Sequence, residues 1–169
     1  SPANPKLWTA ETPNLYTLVL QMDDEYIPFR VGMRTIAVSE LGELLINGVP
    51  VKLKGINRHD THPVKGHAIS EEDIRKDLYL MKRLNINTIR MSHYPPSSYV
   101  LQLCDELGFY VIDEADIETH GFVSLDTGWE YKAYDPEWLT DHPMWEDAIL
   151  ERITRMYERD KNFASIIMW

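Results

Sequence analysis

Cysteine is nearly missing from this chain. The single one, Cys104 among 169 residues, excludes an internal disulfide and fits a reducing, cytoplasmic setting. It lies in 100-VLQLCDEL-107, whose apolar positions recur at helical spacing, so a buried thiol is expected rather than a nucleophile. Positive charge is scarce too: 17 Lys and Arg stand against 27 Asp and Glu, a formal net charge of −10. Nucleic-acid binding and attachment to anionic membranes both need a basic face, so neither partner is expected. No apolar run approaches the roughly 18 residues of a membrane-crossing helix. The opening stretch SPANPKLWTAETPN has neither the basic start nor the apolar core of a signal peptide. A G-x-G-x-x-G loop and a Walker phosphate loop are also missing, which removes the usual nucleotide sites. What remains, 44% hydrophobic and 26% charged residues, is an ordinary globular composition of about one domain's length.

Two regimes meet near residue 40. Before it the pattern is that of β-structure, with strands expected at 15-LYTLVLQM-22 and 31-VGMRTIAV-38. Then Asn47-Gly48 sits between apolar runs in 44-LLINGVPVKLKG-55. That pair signals a tight hairpin, because both central residues of a type I′ turn need positive φ.

After it, strands and helices alternate. Strand 51-VKLKGIN-57 leads to a helix over 70–85, which Ser70 can cap with Asp73 completing a capping box. Its apolar stripe is Ile74, Leu78, Met81 and Leu84. Strand 86-INTIRMS-92, a helix over 97–107 and Gly108 as its C-terminal cap follow. Strand 109-FYVIDEA-115, a long aromatic and acidic loop, a helix over 144–162 and a last strand in 164-ASIIMW-169 complete the series. The last helix carries Ile149, Ile153 and Met156 on one face. Repeated βα units imply a parallel sheet covered by helices, an α/β fold. The polar, chemically rich loops follow the strands, as they do in a (β/α)8 TIM barrel. Eight such units need about 250 residues, so residues 40–169 are expected to form the N-terminal half of the barrel, strands 1 to 4.

Three clusters stand at the carboxyl ends of three successive strands: 57-NRHDTHP-63, 90-RMSHYP-95 and 113-DEADIETHG-121. In the first, His59 and His62 form an HxxH pair, a weak zinc signal; hydrogen-bonding loop histidines are the plainer reading, for His67 as well. In the second, Arg90 inside an apolar strand demands a carboxylate partner in the barrel lumen. His93 lies near the same site. In the third, an extended chain would put Asp113, Ala115 and Ile117 on one side and Glu114, Asp116, Glu118 and His120 on the other. Glu118 and His120 could then share a divalent cation. A solvated acidic loop is the alternative.

With these stretches the chain resembles glycoside hydrolase family 2, in its branch of large bacterial lactose-cleaving β-galactosidases. The match runs through 4-NPKLWTAETPNLY-16, 31-VGMRTI-36, 46-INGVPVKLKGINRHDTHP-63, 87-NTIRMSHYPP-96, 104-CDELGFYVIDEADIETHG-121 and 155-RMYERDKNFASIIMW-169. NxxRxSHYP is close to a family signature, with Met91 where the family usually has a small residue. NRHDTHP combined with ETHG is narrower and resembles the β-galactosidases more than the β-glucuronidases.

The resemblance implies that 1–39 are the C-terminal strands of an immunoglobulin-like β-sandwich and 40–169 the first half of a catalytic barrel. It implies that His59 and His93 hydrogen-bond the hydroxyls of a galactoside substrate, and that Arg90 pairs with the nucleophilic glutamate. Glu118 and His120 would ligate Mg2+, with a third protein ligand outside this chain. Asp113, Glu114 and Asp116 would support the site. A monovalent cation, Na+ or K+, would bind through ligands elsewhere in the parent enzyme, expected to be a homo-oligomer. The implied mechanism is retaining hydrolysis by two glutamates. Both are expected after Trp169, so the 169 residues alone are expected to be inactive. Alternatives are a sister specificity, β-glucuronidase or β-mannosidase, a non-catalytic carbohydrate-binding or assembly module, and a zinc domain built on His59, His62, Glu118 and His120.

Overall fold

A computed structural model describes residues 2–119 and 143–169. The chain begins as an antiparallel ribbon. β1 (Tyr16–Met22) and β2 (Glu25–Val31) pair in register from Tyr16 opposite Val31 to Met22 opposite Glu25. Asp23 opens the two-residue turn at φ +51°, a left-handed conformation that Asp tolerates better than most residues.

The single strand expected at 31–38 is instead two strand ends and a break. Val31 closes β2, and β3 (Ile36–Val38) starts a separate sheet. The break has a tertiary cause. The Trp8 N–H donates to the Met33 carbonyl at 2.8 Å, and the Arg34 guanidinium donates to the carbonyls of Phe163 and Ile166. A Cβ at Gly32 would lie 2.5 Å from the Cβ of Ala164. Residues 32–35 thus serve a contact with the end of the chain, not a sheet ladder.

β3 pairs with β4 (Leu44–Ile46), which pairs with β5 (Val49–Pro50). Asn47 and Gly48 join the last two at φ +53° and +77°, so both central residues have the positive φ of a type I′ turn. The Asn47 side chain also binds across the fold, accepting from the Thr35 N–H at 2.9 Å and donating to the Trp8 carbonyl at 3.0 Å.

The main sheet is parallel and sequential: β6 (Gly55–Arg58), β7 (Thr88–Met91), β8 (Tyr110–Ile112) and β9 (Ile166–Met168). Helices α1 (Glu71–Arg83), α2 (Ser98–Leu107) and α3 (Glu146–Asp160) lie between successive strands in the chain. Three sequential βα units and a fourth strand match the first half of a (β/α)8 barrel. β6 and β9 are the two edges of this sheet.

α1 starts where its sequence says it should. The Ser70 Oγ accepts from the Asp73 N–H at 3.3 Å, and the Asp73 carboxylate accepts from the Ser70 N–H at 3.0 Å. Glu71, Glu72 and Asp73 occupy the positive end of the helix dipole, Lys82 and Arg83 the negative end. Ile74 and Leu78 are buried as expected, but Leu84 is 64% exposed, because it is the C-cap and has left the helical stripe. The stripe of α3 is also incomplete: Met156 is buried, Ile149 half-buried and Ile153 exposed.

Alternation along the strands separates two cores. Ile89 and Val111 face the helices, packed with Ile74, Leu78, Leu101 and Phe109. Tyr110 faces the other way, into a cluster of Trp8, Ile46, Ala164 and Ile167 that closes the floor of the half-barrel. Each such fully buried side chain contributes roughly 1.5–3 kcal/mol. Cys104 is fully buried in the helix-side core, and burial pushes its thiol far above the ordinary range. The neighbouring Asp105 is buried as well. Its carboxylate accepts from the Ala164 and Ser165 N–H groups at 3.1 and 2.7 Å and so steers the chain into β9. The Asp105 carbonyl accepts from the Trp8 indole N–H at 2.9 Å.

Candidate functional site

The site is built on the carboxyl ends of β6, β7 and β8. In this sheet Asn57, Arg90 and Ile112 lie in register, and side chains alternate between the helices and the lumen. Ile89 and Met91 are buried against the helices, so Arg90 between them points to the lumen, where it is half-buried. Glu114, two residues past Ile112, carries the same parity and meets it.

The contact is a fork. Arg90 Nε donates to Glu114 Oε2 at 2.7 Å and Nη2 donates to Oε1 at 3.1 Å. This is the carboxylate that an arginine in an apolar strand requires. The nucleophilic glutamate implied by the family resemblance is not needed to satisfy Arg90; Glu114 already does. Sequence reasoning could have found it from parity alone, since Glu114 is the first acid beyond β8 on the lumen face.

His93 joins the pair. Its Nδ1 lies 2.9 Å from Glu114 Oε1 and 3.2 Å from Arg90 Nη2. One nitrogen cannot both donate to the carboxylate and accept from the guanidinium. The shorter contact and the negative charge favour Nδ1–H donating to Glu114, which leaves Nε2 as an acceptor for a ligand hydroxyl. His59 stacks edge-on against His93, with ring centroids 5.3 Å apart at 70°. Glu118 Oε2 is 4.0 Å from the same Nδ1. His59, Arg90 and Glu118 therefore converge on His93, which also meets Glu114.

The chain past β8 is not the extended strand assumed for parity. β8 ends at Ile112, and the Ile117 N–H turns back to the Ala115 carbonyl at 2.8 Å. His120 lies outside the described residues. Among the described residues no three His, Cys, Asp or Glu groups are arranged to hold a metal ion. Glu118 is a hard oxygen donor that suits Mg2+, but one donor is no site.

The first histidine cluster resolves into structure. His62 Nδ1 accepts from the Val64 and Lys65 N–H groups at 3.1 and 3.2 Å, and His67 Nδ1 lies 2.7 Å from the Asp60 carbonyl. Both hold the loop through these contacts. The loop itself is pinned from two sides. Buried Arg58 pairs with Asp60 and with Asp77 of α1, and the Asp60 N–H donates to the Tyr94 hydroxyl at 2.9 Å. That last bond ties the β6 loop to the β7 loop and sets His59 beside His93.

Beneath Glu114 lies a buried acidic pair that sequence reasoning missed. Asp113 is 1% exposed and Asp160, at the end of α3, 0%. Burial first, then the charge of Asp160, push the Asp113 carboxyl up to about 7. Arg159 holds Asp160 through Nε to Oδ1 at 2.7 Å and Nη2 to Oδ2 at 2.6 Å.

Comparison with known proteins agrees with the fold. The family model "Glycosyl hydrolases family 2, TIM barrel domain" matches residues 36–169, and "Glycosyl hydrolases family 2" matches residues 2–34. A β-galactosidase of Pseudoalteromonas haloplanktis is 43% identical over 172 residues, and one of Vibrio vulnificus (strain YJ016) 44% over 171. Each alignment covers 98% of this chain and 15% of the relative, so the chain spans about a seventh of their length. Among solved structures, a β-D-glucuronidase of Dictyoglomus thermophilum superposes with a TM-score of 0.81 at 30% identity, covering 98% of this chain and 28% of that one. A Ruminococcus gnavus β-glucuronidase gives 0.80 at 31%, with the same coverage.

Proposed function

Because the chain belongs to glycosyl hydrolase family 2, we propose that it forms the sugar-positioning wall of a retaining β-galactosidase. The observation that carries this reading is the cage of Arg90, His93 and Glu114 at the strand ends, with His59 and Glu118 against it. Imidazole and carboxylate groups converging on a lumen suit recognition of vicinal hydroxyls, each of which can donate and accept. His93 is held by Glu114 in one tautomer, so its Nε2 meets a hydroxyl without reorientation. Such pre-organisation is where a positioning wall contributes to rate.

Glu114 is engaged by Arg90 and His93, so it reads as the holder of the rim rather than as a proton donor. Retaining hydrolysis needs an acid/base carboxylate and a nucleophilic carboxylate about 5–5.5 Å apart. We assign both to other parts of the barrel. Arg90 has five donor hydrogens and uses two on Glu114, so it can face the nucleophile as well. Mg2+ is the cation that Glu118 and His120 would ligate together with a donor from elsewhere.

Galactose is favoured over glucuronic acid by identity: 42–44% with curated β-galactosidases against about 30% with the β-glucuronidases of known structure. The glucuronidase reading stays in play because those structures superpose so well. The test is hydrolysis of p-nitrophenyl glycosides by the whole protein that carries these residues. A kcat/KM for the β-galactoside at least ~100-fold above that for the β-glucuronide supports the proposal, and the reverse preference overturns it. His93→Ala should lower kcat/KM roughly 10- to 100-fold, the cost of one substrate hydrogen bond left unmade.

A further inference from the structure

We propose that Asp113 and Asp160 share one proton, and that the pair is a positioning device: it anchors the Glu114 backbone and so aims the Glu114 carboxylate at Arg90 and His93. Asp113 Oδ1 accepts from the Glu114 N–H at 3.0 Å, so the orientation of the Asp113 carboxyl sets the peptide that carries Glu114. Its other oxygen, Oδ2, is buried with no hydrogen-bond donor against it among the described residues. Asp160 is the buried acid whose charge acts on Asp113, and two carboxyls can bond each other only through a retained proton. Ionised, the two buried carboxyls would place two negative charges against the single positive charge of Arg159. One retained proton removes the repulsion and satisfies Oδ2.

The fork from Arg159 decides where the proton sits. Both Asp160 oxygens already accept from Arg159, so Asp113 is the partner placed to carry the shared proton and donate it. α3 contributes Asp160 and Arg159, β9 contributes the Met168 carbonyl, which accepts from the Asp113 N–H at 3.0 Å, and the segment after β8 contributes the Glu114 N–H. Arg159 Nη2 also donates to the Pro96 carbonyl at 2.8 Å in the segment after β7. The pair therefore joins the ends of β7, β8, β9 and α3 at the face where the cage is built. As pH rises through about 7 the Asp113 proton leaves, the carboxylates repel, and the anchor under Glu114 loosens.

The test is carbon-detected NMR of the aspartate carboxyl carbons in this 169-residue chain from pH 3 to 9, with the Arg90 Nε–H resonance followed in parallel. One aspartate carboxyl should titrate near pH 7 and be missing from Asp113→Asn. The Arg90 resonance should shift at the same midpoint in the parent and lose that step in Asp113→Asn. Asparagine keeps an acceptor for the Glu114 N–H, so this variant should hold the Arg90 resonance at its low-pH position, whereas Asp113→Ala should move it at every pH. Should Asp113→Asn not fold, Asp160→Asn serves: removing the facing charge must lower the Asp113 midpoint by at least ~1 pH unit. The proposal is overturned if every aspartate titrates below about pH 5, if the Arg90 step survives Asp113→Asn, or if Asp160→Asn leaves the midpoint in place. None of these readouts depends on which sugar the site takes.

Discussion

Arg90 and Glu114 face each other across the lumen side of β7 and β8 with two near-parallel contacts, at 2.7 and 3.1 Å. Their side chains are 39% and 25% exposed, so solvent screens the pair only in part. A double-mutant cycle of Arg90→Lys and Glu114→Gln, read by urea unfolding, should give a coupling of about 1 kcal/mol. Arg90→Lys alone should lose most of it, because an ammonium cannot reproduce the fork. Strict additivity of the two substitutions would contradict the assignment.

Gly108 caps α2 at φ +78°, and a Cβ there would lie 2.3 Å from the Ala10 carbonyl oxygen. Gly48 has nearly the same φ, +77°, but nothing within 4 Å. Gly48→Ala should therefore cost only the conformational penalty, about 1 kcal/mol. Gly108→Ala should cost about 2–4 kcal/mol, because the backbone of the segment from Trp8 to Ala10 must move as well. The difference between the two denaturation midpoints measures the close approach directly.

Asp105 offers a stability test with a definite sign. Burial is the largest influence on its carboxyl and raises it above the ordinary value, against the lowering effect of its bonds to Ser165 and Ala164 and the charge of Arg34. A carboxyl whose folded-state pKa is raised binds its proton more tightly when folded. Its contribution is fully present below the unfolded value of about 3.9 and is lost as pH rises through the folded value. Asp105→Asn cannot titrate. Unfolding free energies of parent and variant, measured from pH 3 upward, should converge as the parent loses this contribution. A gap that widens with pH would contradict the sign.

The helices were the most legible elements. Ser70 and Asp73 form the capping box that their spacing announces, and Asn47-Gly48 forms its hairpin, because these are contacts between residues no more than three apart. β2 was hidden: Pro28 interrupts a short run, and only pairing with β1 makes it a strand. The break at 32–35 was hidden for the opposite reason, since a well-alternating run yields to Trp8, Ala164 and two carbonyls over a hundred residues away.

The site divides along the same line. Sequence alone determined that His59, Arg90, His93 and Glu118 stand at strand ends on a barrel, because strand-helix alternation puts the polar residues after each strand at one end of a parallel sheet. It also determined that Arg90 needs a carboxylate, since burying an unpaired guanidinium is too costly. Only the tertiary structure decided which one. Register brought Glu114 opposite Arg90, and the turn after Asp113 folded Glu118 back toward His93. The packing of α3 set Asp160 against Asp113, a meeting of two acids that no local pattern announces, because it depends on how a helix 47 residues further along the chain lies on the sheet.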